Sequence, residues 1–313
     1  MELIRGIHNL RPEHRGCVVT IGNFDGVHRG HRAVLSGLHA WSEKLDVPTC
    51  VMTFEPQPLE FFAPAKAPAR LMGFRDKYRC LAELGIDRLF VVGFNKKLAS
   101  SAAEGFIRDV LVDGLNAKHI VIGDDFRFGH ERRGDFTMLK MFGEEHGYSV
   151  EPTGTYRQDA ERISSTRIRE ALSAGELAQA AELLGQPFFI EGRVIHGDKR
   201  GRTIGYPTAN VQLRRQHTPV AGVFAVECVT ADQGRYFGMA NVGTRPTVDD
   251  RGKMSLEVNL FDFDRSIYGE KLRVIFHRYL RPEWKFDSLE EMVTAIGEDE
   301  RQSRKIFELP PKR

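Results

Sequence analysis

The first half of the chain alternates short apolar runs with stretches in which apolar residues recur every three or four positions. The first pattern is typical of buried strands and the second of amphipathic helices. The apolar runs are Cys17–Ile21, Thr49–Phe54, Arg88–Val92 and His119–Ile122, and the helical stretches are Ala33–Trp41, Phe74–Leu84 and Ala102–Leu111. Apolar strands separated by helices predict a parallel sheet covered on both faces, as in a Rossmann-like α/β domain. Such sheets bind ligands at the carboxyl ends of their strands.

The pattern changes at Gly185-Gln186-Pro187. Two further helical stretches, Thr166–Leu172 and Glu176–Leu184, precede this point. After it, strands such as 254–260 and 271–279 alternate apolar and polar residues, and the turns are rich in glycine. Alternating strands without intervening helices predict an antiparallel β-barrel. We therefore expect two domains, residues 1–184 and 185–313.

One helix is predicted near the end of the chain. Ser288 and Glu291 have the spacing of a capping box, which closes the first turn of a helix. Leu289, Met292, Val293 and Ile296 then recur at helical spacing. This periodicity predicts that the terminal helix packs against the barrel.

The composition is that of an ordinary globular protein. With 313 residues, 41% hydrophobic and 28% charged, the chain is long enough for two domains. The net charge of +2 neither favours nor excludes nucleic acid as a partner. No run approaches the roughly 18 apolar residues of a membrane helix, and the first residues lack a signal-peptide core. The four cysteines are scattered without a CxxC pair, so we expect a reducing, cytoplasmic location rather than a disulfide framework.

A glycine-rich segment with two histidines follows the first apolar run. His28 and His31 stand where the strand turns into a helix, after Gly22, Asn23, Phe24 and Asp25 and on either side of Gly30. The N–H groups and partial positive charge at a helix start bind phosphate, and glycines let a ligand approach the backbone. Zinc binding would need a third ligand, which no nearby Cys or His offers. A structural histidine pair is another alternative; we favour nucleotide binding.

A second candidate phosphate site opens the helical stretch near residue 166. Ser165 and Thr166 are neighbouring hydroxyl residues, and Arg162 and Arg169 flank them. An N-cap with a solvated basic face would give the same pattern. In the alternative interpretation, the segment is a phosphate clamp. The hydroxyl and backbone N–H groups would bind the phosphate, and the arginines would bind it through forked hydrogen bonds. Two such helix starts would suit a triphosphate.

The segment 125–135 combines aromatic and basic side chains. Asp125 and Phe126 begin it, and Phe128 lies between arginines. A solvated basic loop, a surface for a flavin ring and its phosphate, and a surface that stacks RNA bases all fit this composition. The segment by itself does not choose among them.

The most specific motif of the second half lies at residues 201–210. Gly201 and Gly205 permit a tight loop whose N–H groups face phosphate. Thr208 and Asn210 provide hard oxygen atoms suited to Mg²⁺. A plain turn is the alternative, and an ordinary P-loop kinase is excluded because the chain has no GxxxxGK[ST].

One carboxylate in the second half could act in phosphoryl transfer. Glu257 lies on the opposite strand face from Leu256 and Val258. It is either a solvent-facing carboxylate or a base that accepts a hydroxyl proton. Its spacing does not decide between these roles.

The motifs of the first half resemble those of one enzyme family. The histidine segment and the serine-rich helix start resemble the nucleotidyltransferase superfamily. With Thr53–Pro56 and Gly123–Gly129 they resemble more closely the adenylyltransferase module of the bacterial bifunctional riboflavin kinase/FAD synthetase family, although Gln57 stands where that family often has histidine. The resemblance implies that the ATP phosphates contact His28 and His31 and are clamped by Arg162, Ser165, Thr166 and Arg169. It also implies that FMN binds near Asp125, with Phe126 and Phe128 as candidate flavin contacts.

The second half resembles the kinase module of the same family. The matching segments occur in family order: Gly201–Asn210 with its Pro-Thr-Ala-Asn tetrapeptide, Gly222–Phe224, Asn241–Thr247, Glu257, Tyr268-Gly269 and Arg281–Glu283. The resemblance implies that Thr208 and Asn210 bind Mg-ATP and that Glu257 is the catalytic base. Arg245 and Arg281 are the candidate flavin contacts here.

The resemblance implies a flavin-cofactor enzyme with two activities. The barrel would phosphorylate riboflavin to FMN with ATP and Mg²⁺, and the α/β domain would adenylylate FMN to FAD and release pyrophosphate. We expect riboflavin, FMN, FAD and ATP as partners, with no nucleic acid and no membrane. Two alternatives stay open: only one module, such as the kinase, is active, or the chain is a non-catalytic flavin- or RNA-binding protein.

Overall fold

The chain forms two compact units. The computed structural model describes residues 1–123, 126–153, 157–158, 161–197, 200–213, 217–245 and 253–312. Unit 1 contains Met1–Pro68 and Phe74–Ile163, and unit 2 contains Ala69–Gly73 and Ser164–Arg313.

Unit 1 is built on a six-stranded parallel sheet. Its strands are β1 Glu2–Arg5, β2 Val18–Ile21, β3 Thr49–Glu55, β4 Arg88–Gly93, β5 His119–Gly123 and β6 Ser149–Thr153, in the order β1-β4-β3-β2-β5-β6. The predicted α/β sheet is confirmed, including all four apolar strands. The sequence analysis missed β1 and β6, because these edge strands are largely exposed and lack a continuous apolar run.

The helices of unit 1 lie between these strands. They are α1 Arg29–Leu45, α2 Pro58–Phe62, α3 Phe74–Glu83, α4 Lys96–Ala99, α5 Ala103–Phe106 and α6 Phe136–His146, with short 3₁₀ turns at Ile7–Asn9, Pro12–His14, Pro64–Lys66 and His130–Arg132. The helix expected over 102–111 is α5 followed by a π-helical segment, Ile107–Val112. A two-stranded hairpin, β7 Arg157–Gln158 with β8 Glu161–Arg162, ends the unit.

Unit 2 is a closed antiparallel barrel with helices. Its strands are β9 Phe189–Ile195, β10 Ala209–Val211, β11 Gly222–Val229, β12 Arg235–Arg245, β13 Lys253–Leu260 and β14 Lys271–Arg281, in the order β10-β13-β12-β11-β14-β9, with β9 returning to β10. The helices are α7 Ser165–Ser173, α8 Leu177–Leu184, α9 Arg200–Thr203 and α10 Leu289–Ile306. The predicted barrel with a terminal helix is confirmed.

The terminal helix α10 packs on β11 and β12 of the barrel, on the face that its periodicity predicts. Ser288 caps it as expected, accepting a hydrogen bond from the backbone N–H of Glu291 at 3.1 Å. Leu289, in the first turn, is 62% exposed, whereas Met292, Val293 and Ile296 are half-buried. The most deeply buried positions continue this face toward the end of the helix and are polar: Asp299, Glu300, Ser303 and Arg304.

Arg304 is the centre of a buried ionic group. Its guanidinium bonds the carboxylate of Glu300 at 2.9 Å, that of Asp262 at 2.9 Å and the Pro310 carbonyl at 2.9 Å. Arg304 and Glu300 are both 4% exposed. Paired in this way the charges are tolerated, and removal of Arg304 would leave the buried Glu300 with the half-exposed Lys312, at 3.2 Å, as its ion-pair partner. Among the described residues, no helix is long and apolar enough to span a bilayer.

Arg304→Ala is expected to lower the free energy of unfolding of unit 2 by about 1.5–3 kcal/mol, because hydrogen bonds to buried charged groups are lost. Trp41 lies in unit 1 and Trp284 in unit 2, and the chain has two tryptophans. Urea unfolding followed by Trp284 fluorescence in a Trp41→Phe background therefore reports on unit 2. Arg301→Ala is the matched control, because Arg301 pairs with Glu298 on the exposed face and should cost below about 1 kcal/mol. Equal losses in the two variants would contradict the prediction.

Candidate functional site

The turn between β2 and α1 places His28 at the start of a helix. His28 is the N-cap of α1, and its Nδ1 accepts a hydrogen bond from the backbone N–H of His31 at 3.3 Å. Because Nδ1 is an acceptor, a neutral His28 ring carries its proton on Nε2. This geometry places the His28 imidazole beside a helix N-terminus at the carboxyl end of a parallel strand, where phosphate binds well.

The two imidazole rings of the turn are in contact. Their centroids lie 3.6 Å apart in a stacked arrangement, and Phe24 packs on His31 at 4.9 Å. Burial, His28 and the Lys77 ammonium, in that order, hold the pKa of His31 well below its usual range. His31 is therefore neutral near pH 7. Its Nδ1 is buried and has no hydrogen-bond partner among the described residues.

The backbone of this turn is strained and is held by burial. Phe24 has φ 47° and Val27 has φ 40°, in the left-handed region that non-glycine residues avoid. Both side chains are nevertheless buried, at 3% and 0% exposure. Gly26, at φ 86°, adopts this region without a steric penalty. Packing of Phe24 and Val27 thus offsets the strain and fixes the path of the chain toward His28.

A buried lysine supports the same turn from below. The Lys77 ammonium, on α3, donates to the Asn23 carbonyl at 2.6 Å, and the side chain has 0% exposure. It places a positive charge beside the predicted phosphate site. The sequence analysis missed Lys77. The available signal was its position on the buried face of α3, three and four residues before Cys80 and Leu81.

The other predicted residues of the turn lie around the histidines. Asp25 is 2% exposed, Asn23 is exposed and Gly22 is half-buried. Gly30 faces the His28 ring and the Ile163 carbonyl, so that a Cβ here would lie 3.2 Å and 3.4 Å from them. Glycine lets both groups approach the helix start. The described residues contain no group of three His, Cys, Asp or Glu side chains that could hold a metal.

An aromatic surface at the carboxyl ends of β3 and β4 was also missed. Phe61, Phe62 and Phe94 contact one another edge to face at 5.3–5.5 Å. Phe62 is 63% exposed. An open aromatic cluster at this edge of a parallel sheet is suited to a flat ring. Its sequence signal was the Phe61-Phe62 pair, which follows the Glu-Pro segment Thr53–Pro56 after four intervening residues.

The predicted flavin contacts of unit 1 differ in accessibility. Phe128 is 7% exposed and packs against Phe106 at 5.6 Å, so it belongs to the core. Phe126 is half-buried and stacks on Phe128 at 5.5 Å. Asp125 lies outside the described residues.

The predicted clamp residues lie at the start of α7 and just before it. Ser164 is the N-cap of α7, and its hydroxyl accepts from the Arg167 N–H at 3.2 Å. Thr166 is exposed and Ser165 half-buried. Arg169 donates from Nε to the Ala69 carbonyl at 2.5 Å, and Arg162 is exposed in β8. The hydroxyl-rich helix start that the sequence predicts is therefore present.

In unit 2, the loop before β10 is held by side chains at close range. The Asn259 amide donates to the Pro207 carbonyl at 2.7 Å and is 7% exposed, which fixes the residue before Thr208. The Lys312 ammonium lies 3.9 Å from the centre of the Tyr206 ring. Gly205 has φ 81°. The sequence analysis missed Asn259, although it lies two residues after Glu257 and so on the same face of β13.

Three polar residues form a row across neighbouring strands of the barrel. Glu257 of β13 pairs with Asn210 of β10 on one side and with Asn241 of β12 on the other. Directly paired residues project to the same face. The alternate residues Val242, Leu256 and Val258 are buried in the barrel. The row therefore lies on the outer face.

The predicted flavin contact Arg281 is engaged by a carboxylate. Its Nε and Nη2 bond Asp299 of α10 at 2.9 and 2.7 Å, and its guanidinium lies 4.4 Å from the Trp284 ring centre. Beside it lies an open cleft of about 510 Å³ between the residues after β14 and α10, lined by Trp284, Phe286, Ser288, Glu290, Glu291, Thr294, Ala295 and Glu298. The side chain of Arg245 lies outside the described residues.

Comparisons with known proteins cover both units. A family described as FAD synthetase matches residues 10–167, and a family described as riboflavin kinase matches residues 184–307. Two proteins named bifunctional riboflavin kinase/FMN adenylyltransferase are similar over the full length: that of Escherichia coli K12 is 51% identical over 99% of both chains, and that of Pseudomonas fluorescens is 50% identical over 98%. A crystal structure titled macrolide-efflux protein, from Streptococcus pneumoniae, matches with a TM-score of 0.81 and 33% identity, over 97% of this chain and 99% of that chain.

The lowered pKa of His31 makes unit 1 less stable in acid. The unfolded chain accepts a proton on this histidine near pH 6.5, whereas the folded chain resists it, so the free energy of unfolding falls as the pH drops below about 6.5. His31→Gln is expected to flatten this slope by up to about 1.4 kcal/mol per pH unit. Urea unfolding at pH 7.5, 6.5 and 5.5, followed by Trp41 in a Trp284→Phe background, measures it. His8→Gln, at an exposed site in the same unit, is the control; an unchanged slope in His31→Gln would contradict the prediction.

Proposed function

The chain belongs to the family of bifunctional riboflavin kinases/FMN adenylyltransferases, and from this premise we propose how its residues perform the two reactions. The barrel transfers the γ-phosphate of ATP to riboflavin, and the α/β domain transfers the AMP part of a second ATP to the FMN so formed. The observation that carries this assignment is that separate family models match the two halves. We propose residues 1–184 and 185–313 as the two functional domains.

In the kinase reaction, Glu257 accepts the proton of the riboflavin 5′-hydroxyl. The hydroxyl oxygen attacks the γ-phosphorus, the bond from that phosphorus to the β,γ-bridging oxygen breaks, and ADP leaves. A carboxylate on the outer face of the barrel, beside two amide side chains, can hold this proton without covalent chemistry. Positioning and charge neutralisation supply the rest of the rate enhancement.

Thr208 and Asn210 would hold Mg²⁺ in the kinase domain. Both present hard oxygen atoms, and glycines permit close approaches beside them: a Cβ on Gly197 would overlap the Asn210 amide, and a Cβ on Gly201 would overlap the Tyr206 carbonyl. The ion supplies neutralisation of phosphate charge when bound. Gly201 and Gly205 allow the adjoining loop to follow the ATP phosphates closely.

We propose that the riboflavin ring occupies the cleft beside α10. Trp284 and Phe286 provide aromatic surface there. The ion pair between Arg281 and Asp299 ties the end of β14 to α10, which makes Arg281 a residue that shapes the flavin site. Arg245 is the second proposed flavin contact in this domain.

In the adenylylation reaction, a phosphate oxygen of FMN attacks the α-phosphorus of ATP and pyrophosphate leaves. The His28 Nε2–H and the free N–H groups of α1 are suited to donate to phosphate oxygens as negative charge shifts to pyrophosphate. We propose that Gly22, Asn23, Phe24, Asp25 and Gly30 shape this ATP site, and that Arg162, Ser165, Thr166 and Arg169 bind ATP as well.

For FMN in the α/β domain, we propose Asp125 and Phe126 as contacts. Phe128 supports Phe126 from the core, and Phe61, Phe62 and Phe94 offer the exposed aromatic surface for the ring. The four cysteines are buried free thiols, which supports a reducing, cytoplasmic location. Riboflavin, FMN, FAD and ATP are the proposed partners, without nucleic acid.

The overall proposal is tested by product analysis. Purified protein is incubated with riboflavin, ATP and Mg²⁺, and the flavins are separated by chromatography. We expect FMN followed by FAD. If FMN were the only product, the chain would act as a kinase alone. If the riboflavin remained unchanged, the proposed function would be wrong.

Glu257→Gln is expected to lower the rate of FMN formation by about 10²–10⁴, because the variant cannot accept the hydroxyl proton. FAD formation from supplied FMN should keep the wild-type rate. Both rates are measured on one preparation, so the second serves as a control for folding. Loss of both activities in a folded protein would contradict the separate roles of the two domains.

The double variant His28→Ala/His31→Ala is expected to show the reverse. Removing donors that stabilise the transition state costs roughly 10²–10³ in rate for each, so FAD formation from FMN should fall at least this far. FMN formation from riboflavin should be unchanged. If the double variant still formed FAD at the wild-type rate, the histidines would have no part in the adenylylation reaction.

A further inference from the structure

A residue beside Glu257 has an unused hydrogen-bonding atom. Asn241 is the direct partner of Glu257 in the pairing of β12 with β13, and the row continues to Asn210 on β10. Side chains of directly paired residues lie about 4.5–5.5 Å apart at their Cβ atoms. A ligand atom bonded to Glu257 is therefore within reach of Asn241.

The orientation of the Asn241 amide is fixed by a second carboxylate. Its Nδ2 donates to Glu283 Oε1 at 2.9 Å. The Glu283 carboxylate lies directly over Gly243, where a Cβ would overlap it. Gly243 lies two residues after Asn241 and on the same face of the strand. Because it has no side chain, the Glu283 carboxylate has room to bond Asn241. With the NH₂ group directed to Glu283, the amide oxygen must point elsewhere.

That oxygen is a buried acceptor that needs a donor. Asn241 Oδ1 is shielded from solvent and meets no hydrogen-bond donor among the residues that the structure describes. Buried polar atoms are nearly always paired, since an unpaired one costs free energy. The neighbouring groups, the carboxylates of Glu257 and Glu283, are acceptors like Asn241 Oδ1. The group that completes this face must therefore bring a hydrogen-bond donor.

We propose that Asn241 Oδ1 accepts a hydrogen bond from a hydroxyl group of the ribityl chain of riboflavin. This inference rests on the proposed kinase function and adds a substrate-binding residue to it. The 5′-hydroxyl must reach Glu257, so the polyol chain, rather than the flavin ring, passes the row of Asn210, Glu257 and Asn241. Asn241 then helps the site select flavins that carry a hydroxylated side chain, because a flavin without one leaves the buried oxygen unpaired.

The test compares riboflavin with lumiflavin, which has the same ring but a methyl group in place of the ribityl chain. Dissociation constants are measured by flavin fluorescence for the full-length wild type and for Asn241→Ala, with Mg-ADP present. Loss of one neutral hydrogen bond is expected to weaken riboflavin binding about 3- to 10-fold, with lumiflavin binding unchanged. A residue that only supports the barrel would weaken both ligands equally.

Two further variants control the experiment. Asn241→Ser retains a side-chain acceptor and should keep part of the preference for riboflavin, and it replaces Asn241→Ala if that variant does not fold. Arg235→Ala, at the far exposed end of the same strand, should leave both constants unchanged. FAD formation from supplied FMN monitors the integrity of each preparation.

The outcomes separate this inference from the proposed function. If the wild type neither binds nor phosphorylates riboflavin, the kinase function fails. If the wild type does both, but the Asn241 variants bind riboflavin as tightly as the wild type or lose riboflavin and lumiflavin in parallel, the ribityl contact is overturned.

Discussion

Strand register is the constraint on which both candidate sites depend. In unit 1 the parallel sheet brings β2 to an end where the chain turns to His28. In unit 2 the antiparallel pairing sends Leu256 and Val258 into the barrel and Glu257 to its outer face. A slip of one residue would exchange these faces. The hydrophobic free energy that fixes the core therefore also fixes which polar residues can meet a substrate.

Each candidate ATP site is further stabilised by a buried donor on a neighbouring element. Lys77 donates to the carbonyl of Asn23, and Asn259 donates to the carbonyl of Pro207. Both carbonyls belong to loops outside the strands, where a side-chain donor takes the place of a backbone hydrogen bond. Loops held in this way can keep functional groups in place before the ligand arrives, which is what catalysis by positioning requires.

The two reactions share attack at a phosphorus atom of ATP, yet the two units offer different chemistry for it. The turn at His28 provides N–H donors and a helix N-terminus, which suit negative charge on a departing pyrophosphate. The barrel provides oxygen atoms from Thr208, Asn210 and Glu257, which suit a cation and a proton. The two sites therefore differ in the elements that carry their polar groups. In unit 1 these groups lie on a strand-to-helix turn, and in unit 2 they lie on the outer face of a strand.

The sequence by itself determined the fold class and most of the candidate residues, because local patterns encode them. Apolar runs marked the four central strands of the sheet, alternation marked the barrel, and motif spacing marked His28, His31, Thr208 and Asn210, whereas Glu257 was singled out by the resemblance to the family. Only the tertiary structure decided which side chains support them. Lys77, Asn259, Phe62 and the Asn241–Glu283 pair come from elements distant in sequence or carry no motif, and the buried face of α10 is ionic because Arg304 finds Asp262 and Glu300 in space. The spacing of apolar residues along the chain specifies helices and strands. The partner of a buried polar group is decided instead by packing between segments that are far apart in the sequence.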